Sequence, residues 1–313
     1  MLNGDIQFFI EKLKRTVDAT ILAHNYQSPN VQDIADFVGD SLQLSIKAMN
    51  LTSKIIVFAG VYFMAEQASI LARGKTVLIP DFNAKCPMAA MINPEIVRKA
   101  RDKYPHAPIV IYVNTTADVK AEADYIVTSS SAVKLVSQLE ADTIIFGPDR
   151  QLAEYVEEKT GKTVIPIPPH GHCPVHLKIK PEHILNLKEK LHYVNVAVHP
   201  ECLKSVRRLA DYIGSTGQML NYVKTSANKN FIIGTEIGLT YRISKECAGK
   251  MVHPACKDAI CINMKKITLE KILRSIREHV YPVKVSEKFS SKVMKILERS
   301  YELLGVEVPW RRS

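Results

Sequence analysis

The feature that most constrains the fold of this chain is an internal repeat. Three segments share one signature, which reads ADFVGDS at 35–41, ADYIVTS at 123–129 and ADYIGST at 210–216. The copies begin 88 and 87 residues apart, and similar apolar runs precede and follow each of them. Three copies of one unit in a chain of 313 residues predict three related substructures rather than one large core.

Short apolar runs alternate with helical patterns inside each copy. TILAHNY at 20–26 is a continuous run that ends in polar residues, whereas SLQLSIKAMN at 41–50 has apolar residues at helical spacing. This alternation is typical of parallel strands covered on both faces by helices. We therefore predict an α/β fold of three homologous small α/β sandwich domains, with parallel sheets around a pseudo-threefold axis. The predicted domains are 1–86, completed by C-terminal helices in 262–313, then 87–173 and 174–261.

Polar residues at the predicted strand ends share the phase of the repeat. In such sheets, ligands bind beyond the carboxyl ends of the strands, where helix N-termini point. A single polar residue at a strand end usually caps a neighbouring element. Nine of them in three equivalent places fit a diverged common site better. They are His24, Tyr112 and His199; Tyr26, Asn114 and Glu201; and Ser41, Ser129 and Thr216.

Three cysteines follow the same period, since Cys86, Cys173 and Cys261 lie 87 and 88 residues apart. Cys173 is part of PHGHCPVH at 169–176, where three histidines flank one cysteine. Structural zinc sites usually take two ligands from one short element, so this segment alone is weak as a zinc site. Together, the three cysteines predict thiolates that converge on an axis. Such a set suits zinc, and at least as well a [4Fe-4S] cluster with one iron free of protein ligands.

Charge and composition limit the function classes. The net charge is +10, yet basic residues alternate with acids, and the densest stretch, KKITLEKILRSIRE, has the spacing of a solvated helix face. We expect small anionic substrates and no nucleic acid. No apolar run approaches the roughly 20 residues of a membrane span, and the N-terminal segment becomes charged too early for a signal peptide. We therefore expect a cytoplasmic protein without a membrane partner, and six cysteines are too few for a disulfide scaffold.

Several segments resemble the quinolinate synthase family. They are AHNYQ, DIADFVGDSLQL, DFNAKCPMA, YVNTTADVKA, HPEC and CINMKKITLEK, and they extend from Ile21 to Ile272. The resemblance implies a transferase-type enzyme of NAD biosynthesis that condenses iminoaspartate with dihydroxyacetone phosphate to quinolinate, with loss of phosphate and water. The chain departs from the family at Ile262, where proline is usual, and at Pro174, where an aromatic residue is common. These departures concern loop conformation rather than the ligands.

The resemblance also implies the parts of the site. Three α/β domains surround a [4Fe-4S] cluster held by Cys86, Cys173 and Cys261, and the open iron acts as a Lewis acid. Glu201 is the expected acid/base, with His199 and Tyr26 near it, because two dehydrations and a tautomerisation need a group that takes and returns protons. The triose phosphate is expected to contact Ser41, Ser129, Ser215 and Thr216. The substrate carboxylates and carbonyl are expected to contact His24, Tyr112, Asn114 and His176. The enzyme that supplies iminoaspartate is a candidate protein partner.

Other interpretations of the same residues remain open at this point. Cys202 is expected to be a buried small apolar residue, and nothing supports a redox pairing of Cys247 with Cys256. Cys256 is the main alternative to Cys261 as the third ligand, but it lies 83 residues after Cys173, which does not match the spacing of 87 or 88 residues. Outside the family, a zinc hydrolase with the same thiolates and a basic nucleic-acid or interaction module are the alternatives. Without a P-loop or GxGxxG motif, a nucleotide substrate is disfavoured.

Overall fold

A computed structural model of the chain describes residues 3–308, and its strands form three parallel sheets of four strands each. The first sheet contains β1 (Ala19–His24), β2 (Phe37–Gly39), β3 (Ile55–Ala59) and β4 (Thr76–Leu78). The second contains β5 (Ile109–Tyr112), β6 (Tyr125–Val127), β7 (Thr143–Gly147) and β8 (Thr163–Pro166). The third contains β9 (Val194–Val198), β10 (Tyr212–Ile213), β11 (Asn230–Gly234) and β12 (Met251–Pro254).

All three sheets have the same strand order, β2-β1-β3-β4, β6-β5-β7-β8 and β10-β9-β11-β12. In the first sheet, for example, Ala23 of β1 pairs with Val38 on one side and with Ala59 on the other. Central strands such as β3 and β5 are buried along their whole length, which explains their continuous apolar sequences. The predicted α/β class with three parallel sheets is confirmed.

Helices cover the sheets. Around the first sheet these are α1 (Asn3–Thr16), α2 (Pro29–Asp33), α3 (Ser41–Asn50) and α4 (Tyr62–Leu71). The second has α5 (Pro94–Lys103), α6 (Ala117–Lys120), α7 (Ala132–Ser137) and α8 (Arg150–Thr160). The third has α9 (Pro181–Lys190), α10 (Lys204–Arg207), α11 (Thr216–Thr225) and α12 (Gly238–Glu246). The C-terminal helices are α13 (Leu269–Glu278) and α14 (Glu287–Leu304), and short 3-10 turns span Met88–Met91, His176–Lys178 and Met264–Lys266.

The two C-terminal helices pack differently. Helix α13 packs against α1 and β3 of the first unit, whereas α14 packs against β6, α6 and α7 of the second unit as well as α4. Residues 309–313 of the predicted C-terminal segment lie outside the described residues. We propose that the three sheets are the cores of three domains with boundaries near 86 and 173, and that α14 bridges the first two. Among the helices of residues 3–308, none combines the length and the apolar character that crossing a membrane demands.

Candidate active site

Residues at the carboxyl ends of β1, β5 and β9 line one cavity, to which all three units contribute. Of the fourteen site residues predicted from the sequence, thirteen line this cavity. They are His24, Tyr26, Ser41, Cys86, Tyr112, Asn114, Ser129, Cys173, His176, His199, Glu201, Thr216 and Cys261. The repeat therefore brings its equivalent positions together in space. The remaining residue, Ser215, points elsewhere.

Ser215 is buried as the N-cap of α11. Its Oγ accepts a hydrogen bond from the Gln218 N–H at 3.3 Å and donates one to Asp40 Oδ2 at 2.8 Å. Asp40 lines the cavity and is itself the N-cap of α3, where its Oδ1 accepts from two backbone N–H groups. The Ser215 side chain thus joins two helix caps from different units instead of facing the cavity.

The N-termini of α3 and α11 meet at the cavity wall. Asn25 Nδ2 donates to Thr216 Oγ1 at 2.9 Å across this contact. Gly217 permits the approach, because a Cβ there would lie 2.7 Å from Asp40 Oδ2. Ser41 and Thr216 are the first residues of these two helices. Two helix N-termini with hydroxyl side chains favour an anion at this end of the cavity, and the hydrogen bonds that Asp40 accepts offset part of its own charge.

Glu201 is almost fully buried and is surrounded by polar side chains. Its Oε1 accepts a hydrogen bond from Tyr112 Oη at 2.5 Å, and its Oε2 lies 2.8 Å from His176 Nδ1 and 3.9 Å from His199 Nδ1. Burial by itself raises the pKa of Glu201, but His176 and the Tyr112 hydroxyl outweigh burial and hold the pKa below its usual range. The Glu201 carboxylate is therefore ionised, with a hydrogen bond from Tyr112 on one oxygen and His176 close to the other.

His24 and His199 are held in the same way in two copies of the repeat. His24 Nδ1 accepts from the Tyr26 N–H at 3.1 Å, and His199 Nδ1 accepts from the Glu201 N–H at 3.3 Å. Burial lowers the pKa of both imidazoles to about 3, so both are neutral. With Nδ1 as acceptor, the ring proton lies on Nε2. His199 Nε2 faces Ser129 Oγ at 3.2 Å, which identifies this group as a neutral donor.

Tyr26 is linked to the Glu201 carboxylate only through His176. Its Oη lies 2.6 Å from Thr235 Oγ1 and 3.3 Å from His176 Nε2. His176 Nε2 is also 2.8 Å from Thr235 Oγ1, so His176 connects these hydroxyls to Glu201. Burial and the charge of Glu201 raise the pKa of Tyr26 well above its ordinary value, which keeps the phenol protonated. Thr235 was not predicted from the sequence.

The three periodic cysteines are free thiols at the cavity wall, and each precedes a 3-10 turn. Burial raises the pKa of all three, that of Cys86 to about 12. Backbone N–H groups of the following turns oppose this rise at each sulfur, from Ala89 to Cys86, from His176 to Cys173 and from Met264 to Cys261.

An iron-sulfur cluster fits this donor set. Buried thiolates without a counter-charge are unfavourable, and bound metal ions supply that positive charge. The N–H groups directed at sulfur are the kind of hydrogen bond that tunes such clusters. A second set of candidate ligands is Cys173, His176 and Glu201, whose ligand atoms lie within 4.8 Å of one another. In that second set, however, His176 and Glu201 already face each other at 2.8 Å.

Two buried carboxylates next to the cysteines were also missed. Asp149 Oδ2 accepts from the Cys173 N–H, and Glu236 Oε1 accepts from the Cys261 N–H, each at 3.1 Å. The repeat contains the signal that would have found them, since the two acids are 87 residues apart and each lies two residues after a periodic glycine. The strand-end residues predicted from the sequence belong to the first and second strands of each unit, whereas these acids follow the third.

The other cysteines lie in the core of the third unit. Cys202 is fully buried, as expected for a small apolar residue, and its Sγ lies 3.4 Å from Gly234 O. Cys256 and Cys247 are buried in different apolar clusters of this unit and are free. Neither lines the cavity formed by the periodic cysteines.

Comparison with known proteins agrees with this geometry. Residues 9–302 match the family model described as Quinolinate synthetase A protein. Quinolinate synthase of Thermotoga maritima is 49% identical over 296 residues, covering 95% of this chain and 99% of the relative. Those of Pyrococcus abyssi and Methanothermobacter thermautotrophicus are each 49% identical, covering 96% of this chain and 99% and 98% of the relatives. With a family match over nearly its whole length and a cavity built from all three units, this chain belongs to the quinolinate synthase family.

Proposed function

We propose that this chain is a quinolinate synthase that condenses iminoaspartate with dihydroxyacetone phosphate to quinolinate, with loss of phosphate and water. The observation that carries the proposal is the convergence of three free cysteines and the Glu201 carboxylate on a single cavity in a member of this family. The reaction joins two anionic substrates and requires several proton transfers. The cavity offers groups suited to each of these tasks.

The proposed cofactor is a [4Fe-4S] cluster held by Cys86, Cys173 and Cys261. When bound, it would supply a Lewis-acidic iron that polarises a hydroxyl or carbonyl oxygen of the substrate. The thiols fit this role because they are free, line one cavity and receive backbone N–H groups. Their raised pKa values agree with a site that needs a metal to keep sulfur anionic.

Glu201 is the proposed acid/base. Because it is ionised and buried, it can accept a proton from the substrate and return it in a later step. Tyr112 and His176 orient the two carboxylate oxygens, which leaves the carboxylate little freedom to turn away from the cavity. We propose that His199 donates from Nε2 to substrate oxygen, and that Tyr26 acts through His176 and Thr235 as part of the same hydrogen-bonded chain.

The phosphate is proposed to bind where α3 and α11 meet. Ser41 and Thr216 lie at the two helix N-termini, and Ser129 supplies a third hydroxyl from the second unit. We assign Ser215 an indirect part, since its side chain binds Asp40 and caps α11. The proposed contacts of the substrate carboxylates and carbonyl are His24, Tyr112, Asn114 and His176.

We further propose a cytoplasmic location and, as a protein partner, the enzyme that supplies iminoaspartate. The six cysteines are all free, and free thiols suit a reducing compartment. The positive net charge of the chain suits anionic small molecules.

The test uses protein purified without oxygen, with iron, inorganic sulfide and the visible spectrum measured on the same sample. We expect about four irons and four sulfides per chain. Quinolinate should form only when both substrates are present, with one phosphate released per quinolinate. A colourless protein that binds zinc in place of iron would contradict the cofactor proposal. A fully loaded protein that forms no quinolinate from the two substrates would contradict the reaction.

A further inference from the structure

We infer that Asp149 and Glu236 are positioning residues that fix the backbone of two of the three cysteines for cluster binding. The inference rests on the proposed function, because it concerns the surroundings of the proposed cluster ligands. Both acids are buried, with 0% and 1% of their surface exposed. Buried acids are rare unless a specific set of partners requires them.

Asp149 joins the start of α8 to the loop that carries Cys173. Its Oδ1 accepts from the Leu152 N–H at 2.7 Å and caps the helix, while its Oδ2 accepts from the Cys173 N–H at 3.1 Å. The loop lies so close to this helix start that a Cβ on Gly171 would overlap Pro148 O. One carboxylate therefore connects a rigid helix end to the cysteine backbone.

Both oxygens of Asp149 act as acceptors, Oδ1 for the Leu152 N–H and Oδ2 for the Cys173 N–H. An amide would direct its NH₂ at one of these two N–H groups, and a single hydroxyl would reach only one of them. A side chain with two acceptor oxygens is therefore needed to hold both donors at once.

Glu236 repeats the arrangement in the third unit. Its Oε2 accepts from the Gly238 N–H at 2.6 Å, and its Oε1 accepts from the Cys261 N–H at 3.1 Å. Lys265 Nζ lies 2.9 Å from the same Oε1 and offsets the buried charge. The same contact to a cysteine N–H thus occurs twice, at positions 87 residues apart.

The first unit shows what the carboxylates add. In all three units, an N–H at the helix start donates to a carbonyl two residues before the cysteine. The pairs are Tyr62 to Ala84 at 2.8 Å, Arg150 to Gly171 at 2.9 Å and Ile237 to Ala259 at 3.1 Å. This backbone contact is common to the three units and does not by itself account for the two acids.

Val61 occupies the place of the acid in the first unit, directly before Tyr62. Its side chain has no acceptor for the N–H of Cys86. There, Ala84 and Met88 on either side of Cys86 are fully buried, so apolar packing anchors that loop. Two cysteine loops are therefore held by carboxylates and one by packing.

Fixing the backbone of a cysteine limits its sulfur to the few positions that staggered rotation about χ1 allows. Three loops from three units must present their sulfurs together, and the loss of an outer hydrogen-bond partner typically lowers metal affinity about 10- to 100-fold. By ordering the loops of Cys173 and Cys261 in advance, Asp149 and Glu236 lower the conformational entropy that would otherwise be lost when the cluster binds.

The variants separate this role from helix capping. In Asp149→Ser the hydroxyl still accepts from the helix N–H, but no second oxygen remains for Cys173. Glu236→Gln keeps the size of the side chain and removes the charge. The matched control is Asn93→Ser, which changes the exposed cap of α5 at its bond to the Ile96 N–H. Holoenzymes are prepared without oxygen, and far-UV circular dichroism verifies the fold.

The readouts are the loss of iron to a chelator and the visible and paramagnetic resonance spectra of the cluster. We expect Asp149→Ser and Glu236→Gln to lose iron about 10- to 100-fold faster than the wild type, with altered spectra, and Asn93→Ser to behave as wild type. Wild-type rates and spectra in both variants would overturn the inference, as would iron loss accompanied by a lost fold. Cys173→Ser separates a failure of the proposed cluster ligands from a failure of the positioning role. If Cys173→Ser also keeps its iron, the proposed ligands are wrong. If Cys173→Ser alone loses iron, only the positioning role of Asp149 and Glu236 is wrong.

Discussion

Tyr112 and Glu201 are 89 residues apart in sequence, yet a hydrogen bond of 2.5 Å joins Tyr112 Oη to Glu201 Oε1. The donor comes from the end of β5 in the second unit, and the acceptor follows β9 in the third. Burial and the charge of Glu201 raise the pKa of Tyr112 well above its ordinary value, so the phenol remains a donor. The acid/base group is therefore held by a unit other than its own.

Tyr112→Phe should raise the pKa of Glu201, because a donor to the ionised form is lost. We expect the acidic limb of the pH profile of kcat/KM to move to higher pH. The free energy of unfolding should fall by about 1.5–3 kcal/mol near neutral pH, where the carboxylate is ionised in both states. Tyr193→Phe, at a tyrosine that is 90% exposed, is the control. An unchanged acidic limb would show that this bond does not tune the base.

Glu201→Gln should lower kcat by about 10²- to 10⁴-fold, the usual contribution of a general acid/base. The amide keeps the shape of the side chain but cannot take a proton. The measurement is steady-state kinetics on protein purified without oxygen, with iron content and the visible spectrum matched to wild type. If a fully loaded variant turned over at nearly the wild-type rate, proton transfer would have to be reassigned to His199 or Tyr26.

Ser129→Ala should raise KM for dihydroxyacetone phosphate with a smaller fall in kcat, since a contact that is equally strong in ground and transition states affects binding alone. Ser137→Ala is a matched control, because its Oγ donates to Val133 O on the exposed face of α7. The KM for iminoaspartate serves as an internal reference. A rise confined to that second KM would place the phosphate elsewhere.

Replacing Cys86, Cys173 or Cys261 by serine should abolish both cluster and activity, because three ligands leave no redundancy. Cys247→Ser and Cys256→Ser should keep both, since these thiols lie in separate core clusters away from the cavity. Iron, sulfide and quinolinate formation are measured on each variant. Loss of iron in Cys256→Ser together with its retention in Cys261→Ser would show that the period selects the wrong third ligand.

Buried His24 and His199 should make stability depend on pH. Burial lowers the pKa of each to about 3 in the folded state, below the ordinary value of 6.5. Between these values the unfolded chain binds more protons, so stability is lost as pH falls below about 6.5, by up to about 1.4 kcal/mol per pH unit for each histidine. Urea unfolding between pH 7 and 5 measures this slope. His24→Asn should reduce it, and an unaltered slope would mean that His24 is protonated in the folded protein.

The repeat determined the class of fold and most of the site. Copies of one sequence pattern adopt the same local structure, so equal spacing placed Cys86, Cys173 and Cys261 at equivalent loops, and His24 and His199 at equivalent strand ends. The shared cavity also follows from the sequence pattern, because ligands bind at the carboxyl ends of parallel strands and these loops and strand ends lie there. Equivalent positions in the three units can be identified from the spacing of residues alone, without knowledge of how the units pack.

Contacts between units were decided only by the tertiary structure. Ser215 shares its phase with no other predicted residue, and its side chain turns to Asp40 because α3 and α11 meet there. The bond from Tyr112 to Glu201 and the path of α14 along the second unit depend likewise on how the sheets are placed against one another. Periodicity specifies what each unit forms by itself, whereas burial and close packing across the whole molecule select which side chains become partners.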